Sequence, residues 1–166
     1  IGYLTFNGYR NLDFIDTKIS GEKYKNNLDI IMFYSYLNSK IKSVLRLDLI
    51  EKVNSKVFFE IDKLKVKNLL NIWPNNLKPS VYSWMKENSK GDITNFLLSL
   101  NIFNKKKKIS FNNLSGKFKF DNTSIRYMES MPSIKQINGK AKIFEDKINF
   151  SIFSGKSKNL LIENGN

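Results

Sequence analysis

Apolar and polar residues alternate with a period of two over several stretches of this 166-residue chain. Successive side chains of a β-strand point to opposite faces, so each stretch is predicted to place its apolar groups on one face of a sheet. Lysine, asparagine and serine then fall on the other face, as at Lys117, Lys119, Lys140 and Lys142. The candidates for the apolar face are Phe96, Leu98, Leu100, Leu114, Phe118, Phe120, Ala141, Ile143, Ile148, Phe150 and Ile152.

The same pattern predicts a series of strands before residue 62, separated by short polar turns. Gly21 is expected to close the second of these strands, because glycine commonly marks a turn. The predicted strands cover residues 3–7, 12–19, 28–36, 41–49 and 57–61. Residues 8–11 form the first predicted turn.

Helical spacing replaces the alternation after residue 61. Pro79 suits the first turn of a helix, and Gly91 is expected to stop the helix that begins there. We therefore predict a two-helix hairpin inserted between strands, which covers one end or edge of the sheet. Two amphipathic stripes carry this prediction, at Val66, Leu69, Leu70 and Trp73 and at Leu77, Val81, Trp84 and Met85. The packing residues are expected to be Leu70, Trp73, Val81 and Trp84.

Strands resume after the insertion, and their sequence suggests a meander. The apolar parity shifts across Asn112 and Asn113, which predicts a β-bulge. Turns are predicted at Asp121–Asn122 and at Glu145–Asp146, because these residue types favour turns. The predicted fold class is mainly β (α+β). Its three parts are residues 1–62, 63–90 and 91–166 of a single unit.

The composition argues against an enzyme. Cysteine and histidine are absent, so a thiol nucleophile and the commonest neutral-pH base and metal ligand are missing. The fifteen Asp and Glu are scattered, with no pair placed for acid–base work. We expect no catalytic residues, no metal and no cofactor.

Because the chain begins at Ile1, we also expect it to be a fragment of a larger protein. Its apolar stretches fall well short of the ~20 residues of a membrane-spanning helix.

A formal net charge of +13 raises the alternative of a nucleic-acid-binding module. Its best candidate site is the basic run at residues 105–108 between Phe103 and Phe111. However, most lysines alternate with apolar residues, which is typical of the solvated face of a strand. We therefore expect no nucleic-acid partner. The charge also predicts a weak attraction to anionic phospholipid head groups, worth about 1 kcal/mol per Lys near a surface.

Several short motifs follow one another in a characteristic order. The insertion contains Trp73-Pro74, Leu77 and Trp84, and Gly91-Asp92-Ile93 follows it. The later motifs are Gly116-Lys117-Phe118, Asn122-Thr123-Ser124-Ile125-Arg126-Tyr127, Met131-Pro132-Ser133-Ile134, Ile137-Asn138-Gly139-Lys140-Ala141 and Ser154-Gly155-Lys156-Ser157. This order resembles the AsmA-like, TamB-related envelope proteins of the YhdP type. Ser83 departs from the pattern, which has an arginine just before the second tryptophan.

The resemblance implies a long, strongly curved antiparallel sheet that forms an apolar groove. It implies a bridge-like lipid-transport protein of the Gram-negative periplasm, with phospholipid acyl chains as its cargo and a role in outer-membrane biogenesis. An inner-membrane anchor would lie outside this piece, and other envelope proteins would hold its ends. A ligand-free structural β-sandwich or adhesion module remains the alternative, because its apolar faces would cover each other.

Overall fold

The computed structural model describes residues 2–3, 13–50, 54–73, 77–105, 108–145 and 147–165. Side chains are described for residues 16–50, 55–73, 77–103, 111–145 and 147–164. Strands make up 72% of the structure, which confirms the mainly β fold class. The first predicted strand and turn, at residues 3–7 and 8–11, lie almost wholly outside the described residues.

The described chain forms an open, curled antiparallel sheet with a helical hairpin inserted between its fifth and sixth strands. Nine strands, β2 to β10, build the curled sheet, and the short β1 pairs with β2 at its edge. The elements are β1 (Gly2–Tyr3), β2 (Asp13–Tyr24), β3 (Asn27–Tyr36), β4 (Ser39–Asp48), β5 (Asn54–Lys65), α1 (Val66–Ile72), α2 (Pro79–Asn88), β6 (Ser89–Lys105), β7 (Lys108–Ile125), β8 (Ile134–Phe144), β9 (Lys147–Ser157) and β10 (Leu160–Gly165).

Every strand pairs with the strand that follows it in the sequence, so the sheet is a meander. Short turns make this order possible. Leu37 and Asn38 join β3 to β4 with φ values of 47° and 65°, which is the type I′ conformation that matches the twist of a hairpin. Glu145 begins the predicted turn between β8 and β9, whereas Asp146 lies outside the described residues.

Bulges occur repeatedly along the long strands, and they account for the curl. A bulge bends its strand and increases the local twist. Most of the register shifts contain a residue with positive φ, and asparagine tolerates this conformation better than most residues. The predicted bulge is confirmed, with Asn113 at φ 51°. The other positive-φ residues at register shifts are Asp16, Gly91, Asn95, Asn122 and Gln136.

Three boundary predictions were wrong, each at a residue that suits both a turn and a strand irregularity. Gly21 lies inside β2, which continues to Tyr24. Asn122 forms a bulge within β7 instead of a turn, because β8 continues to pair beyond it at Thr123. Gly91 lies in β6 with φ 125°, and α2 ends earlier, at Asn88.

The core lies between the sheet and the hairpin. Leu69, Trp73, Leu77, Val81 and Met85 of the insertion are all buried at 3% exposure or less. Leu69 lies on α1, Val81 and Met85 lie on one side of α2, and Trp73 and Leu77 lie in the connection between the helices. All five belong to the same hydrophobic core as the apolar face of the sheet. The hairpin was predicted from the helical spacing of its apolar residues, and it is confirmed.

Candidate functional site

The apolar face predicted from the alternation is the face that carries the core, and we call it the inner face. The strand pairing joins its residues in rows across the sheet, for example Phe118, Ala141 and Phe150 on β7, β8 and β9. Three of the candidate residues, Ile148, Phe150 and Ile152, are partly buried. The buried candidates are Phe96, Leu98, Leu100, Leu114, Phe118, Phe120, Ala141 and Ile143. Lys117, Lys119, Lys140 and Lys142 are exposed, which fits their position on the opposite face.

Aromatic side chains of β6, β7 and β9 meet on the inner face, where the ring centroids of Phe96 and Phe118 lie 5.9 Å apart. The ring centroids of Phe120 lie 6.2 Å from Phe118 and 6.1 Å from Phe150, within the range of favourable aromatic pairs. Small residues of β8 leave room for these rings. A Cβ atom added at Gly139 would come within 2.7 Å of the Phe120 ring, so the close approach of this ring requires glycine.

The hairpin covers this aromatic cluster. Trp84 of α2 lies 5.5 Å from Phe150, measured between ring centroids. A cavity of only about 20 Å³ remains between Trp84, Met85, Phe118 and Phe120, and its exposed lining is apolar. A space of this size holds at most about one water molecule, and a water there needs polar partners. The upper part of the inner face, at the end where β5 leads into α1, is therefore filled by the chain itself.

Two polar contacts hold the connection between the helices in place. The indole Nε1–H of Trp73 donates a hydrogen bond of 2.6 Å to the backbone oxygen of Leu77. Lys78 Nζ lies 3.3 Å from a carboxylate oxygen of Glu145, at the turn between β8 and β9. Of the predicted end or edge, the hairpin thus covers the end of the inner face where β5 leads into α1, and it extends over the central strands there. Of the expected packing residues, Trp73 and Val81 are buried, and Leu70 and Trp84 are partly buried.

The opposite end of the inner face retains partly exposed apolar side chains. We call this surface the open strip. Leu28 pairs with Leu47, and Ile30 pairs with Leu45, so β3 and β4 contribute two rows of aliphatic groups. Ile102 and Phe111 extend it on β6 and β7. The residues of the open strip are Leu28, Ile30, Leu45, Leu47, Ile102 and Phe111, all of intermediate exposure.

A second apolar surface lies on the outer face, and we call it the outer groove. It has a volume of about 550 Å³. Two cross-strand rows supply its outward-pointing groups, Lys42, Glu60, Leu97, Lys117 and Lys142 in one row and Val44, Phe58, Ser99, Ser115 and Phe144 in the other.

Sequence reasoning did not identify the outer groove, although the sequence contains a signal for it. Strict alternation would place polar residues at positions 58, 97 and 144. Phe58, Leu97 and Phe144 are apolar instead, and each adjoins an apolar inner-face residue in the sequence. The exposed fraction of Phe144 is 65%. Apolar residues in the outward phase of a strand therefore indicate a surface with its own apolar character.

The pKa values of Asp29 and Tyr34 are shifted by their surroundings. Arg46 contacts Asp29 at 2.6 Å, and its hydrogen bond holds the pKa of the Asp29 carboxyl below its usual value. Burial raises the pKa of the Tyr34 hydroxyl, and the Ser43 hydroxyl near it partly offsets this rise. In the described residues, no group of three or more acidic side chains is placed to hold a metal ion.

Two further features bear on the sequence expectations. Neither of the described helices has the length and apolar character needed to cross a membrane. The basic run at residues 105–108 lies outside the described side chains, although Phe103 and Phe111 beside it are partly buried.

The chain matches no protein-family model, no curated protein and no solved structure.

Proposed function

We propose that this chain is a segment of a bridge-like protein that carries phospholipid acyl chains between the inner and outer membranes of a Gram-negative envelope. In this proposal the protein resides in the periplasm, an anchor outside this segment attaches it to the inner membrane, and neighbouring envelope proteins hold its ends. The segment shields acyl chains from water and performs no chemistry.

The open strip is the observation that carries this proposal. Its apolar side chains lie on β3, β4, β6 and β7 of the inner face of a curled sheet, and Ser55 of β5 lies between Leu47 and Ile102. Leaving such groups partly exposed is unfavourable unless something apolar covers them, and an acyl chain gains about 0.8 kcal/mol for each CH₂ that it buries. The order of motifs that resembles the AsmA-like proteins supports the same function.

The hairpin limits where an acyl chain fits. Eight of the eleven candidates on the inner face are buried in the present arrangement. An acyl chain would therefore contact the open strip and the partly buried residues Ile148, Phe150 and Ile152 of β9. The deeper aromatic residues would hold the hairpin instead of the cargo.

Site-specific photocrosslinking in the full-length protein in its native cells tests this function. A photoreactive residue at Leu47 lies on the open strip, whereas the same group at the exposed Lys156 lies away from it on β9. We expect phospholipid adducts at position 47 and few at position 156. Equal labelling at the two positions, or no lipid at position 47, would contradict the proposal.

A ligand-free structural module is the second candidate, and the burial of Phe96, Leu114 and Phe120 under the hairpin favours it. In such a module, lipid does not need to reach the open strip. Leu47→Asp separates the two functions. If the open strip is a lipid path, the Leu47→Asp protein should remain folded but lose lipid transport. If the chain is a structural module, the same substitution should leave envelope integrity unchanged.

A further inference from the structure

The outer groove runs across the strands instead of along them. Its two rows of side chains cross β4, β5, β6, β7 and β8. Neighbouring strands lie about 4.8 Å apart, so the groove spans roughly 19 Å from its first strand to its last. Phe58 and Phe144 are its outward-pointing aromatic side chains, and Ser99 and Ser115 lie between them in the same row.

The positive charge of the outer groove is concentrated at one end. Lys117 and Lys142 lie directly opposite each other on β7 and β8. Like charges in this position are destabilising unless an anion lies near them. Neither lysine forms an ion pair with a described residue. At the other end, Lys42 lies opposite Glu60, so the charges there oppose each other.

More lysines surround the basic end. Lys119 and Lys140 form a second like-charged pair one row further along the same two strands. Lys147 lies opposite Phe144 on β9. All three are exposed. The β7–β8 end of the outer groove therefore presents a concentrated positive field, while the middle of the groove is apolar or weakly polar.

We propose that the outer groove binds a single-chain anionic amphiphile, with its anionic head group at Lys117 and Lys142 and its hydrocarbon tail along Phe144, Phe58 and Val44. The one-ended charge matches this ligand class. A nucleic acid carries a phosphate at every residue and needs cations along its whole track. The span of the groove also fits a hydrocarbon tail, since each leaflet of a bilayer contributes roughly 15 Å of hydrocarbon.

This site does not depend on the proposed lipid path, because it lies on the opposite face of the sheet. The head-group chemistry is a singly or doubly charged oxyanion, either a carboxylate, as in a fatty acid, or a phosphate, as in a phospholipid with one acyl chain. Lysine binds both as a compact point charge.

Calorimetric titration of the full-length protein with three probes tests the site. The probes are dodecanoate, dodecyl phosphate and the neutral dodecyl maltoside, each below its micellar concentration. Lys142→Gln removes a head-group contact, and Phe144→Ser removes a tail contact. Lys156→Gln and Tyr127→Ser are matched controls, because both residues are exposed and lie outside the outer groove.

We expect both anionic probes to bind the wild-type protein more tightly than the neutral probe. Lys142→Gln should weaken anionic binding by about tenfold and leave the neutral probe unchanged. Phe144→Ser should weaken all three, and the controls should bind like the wild type. The anionic probe that binds more tightly identifies the natural head group.

The proposal is overturned if no probe binds, if the neutral probe binds as tightly as the anionic ones, or if the controls weaken binding as much as the groove variants. Crosslinking at Leu47 in the Phe144→Ser variant separates this site from the inner face. Lipid adducts at position 47 should persist in that variant. The outer groove can thus fail while the proposed lipid path holds, and the reverse is also true.

Discussion

Gly91 shows how a single residue permits two strands to approach closely. Its φ is 125°, and a Cβ atom added there would lie 2.8 Å from the Cα of Thr123 on β7. Because the obstacle is backbone, it cannot rotate away. We expect Gly91→Ala to lower the free energy of unfolding by about 2 kcal/mol, measured by chemical denaturation.

Gly21 provides the control for this prediction. Its φ is not positive, and the nearest atom to an added Cβ is a methyl group of Leu28 at 4.0 Å. Alanine reduces the freedom of the unfolded chain, so Gly21→Ala should leave stability unchanged or raise it slightly. Equal losses in the two variants would show that the close contact at Gly91 does not determine its effect.

Phe120 lies at the centre of the aromatic cluster, and its exposed fraction is 1%. Phe120→Ala should lower the free energy of unfolding by about 4 kcal/mol, since it leaves a cavity under the hairpin. Phe120→Asp should be worse, because the carboxylate would be buried without a partner. Phe153→Ala, at a residue with 49% exposure, should cost less than about 1 kcal/mol in the same denaturation experiment.

Tyr34 links stability to pH. Burial raises the pKa of its hydroxyl above the ordinary value of 10.0, so the folded protein holds this proton more tightly than the unfolded chain. The resulting stability is present below pH 10.0 and is lost as the pH rises through the folded pKa. Tyr34→Phe should flatten the fall in unfolding free energy at alkaline pH. Tyr24→Phe, at a residue with 70% exposure, should leave that fall unchanged.

At the scale of elements, Trp84 provides a contact between the helical hairpin and β9. Trp84 packs against Phe150 and closes the small cavity below it. Trp84→Ala should therefore lower the free energy of unfolding by about 3 kcal/mol. Ser83→Ala is the control, because Ser83 is exposed on the neighbouring position of α2. A loss of stability in both variants would indicate that helix formation, and not the contact with Phe150, explains the effect.

The bulges show how far the sequence predicts the curl of the sheet. The shift in apolar parity located the bulge at Asn113, because the residues on both sides of it point to one face. At Asn122 the same residue type favours a turn in the sequence, whereas the structure forms a bulge there. The two cases differ only in whether a partner strand continues, and that depends on Ile137 of β8, which pairs with Thr123. The residues around Asn122 do not show whether β8 continues to pair beyond them.

The covering of the inner face was also beyond the sequence. The stripes containing Trp73 and Val81 predict that the hairpin packs against the sheet, but they do not specify whether it covers an end or an edge. The structure places the hairpin over the central strands because α1 begins directly at the end of β5 and the connection after it reaches Glu145. The candidate site therefore divides into a filled part and an open strip.

At the scale of the whole molecule, the meander predicts a gradient of local stability from its centre to its edge. β6 pairs with β5 and β7 and also contacts both helices, and its residues Ile93 and Phe96 are 1% exposed. β10 pairs with β9 and ends the described sheet, and Leu160 and Leu161 are 71% and 77% exposed. Regions with few buried apolar contacts open most readily.

Hydrogen exchange followed by mass spectrometry on the full-length protein measures this gradient. We expect the amides of β6 to exchange slowest, because their exposure requires the hairpin and two neighbouring strands to separate. The amides of β10 should exchange fastest. If β10 were protected as strongly as β6, another strand would have to cover that edge in the intact protein, since an uncovered edge strand with exposed leucines is a ready site for pairing.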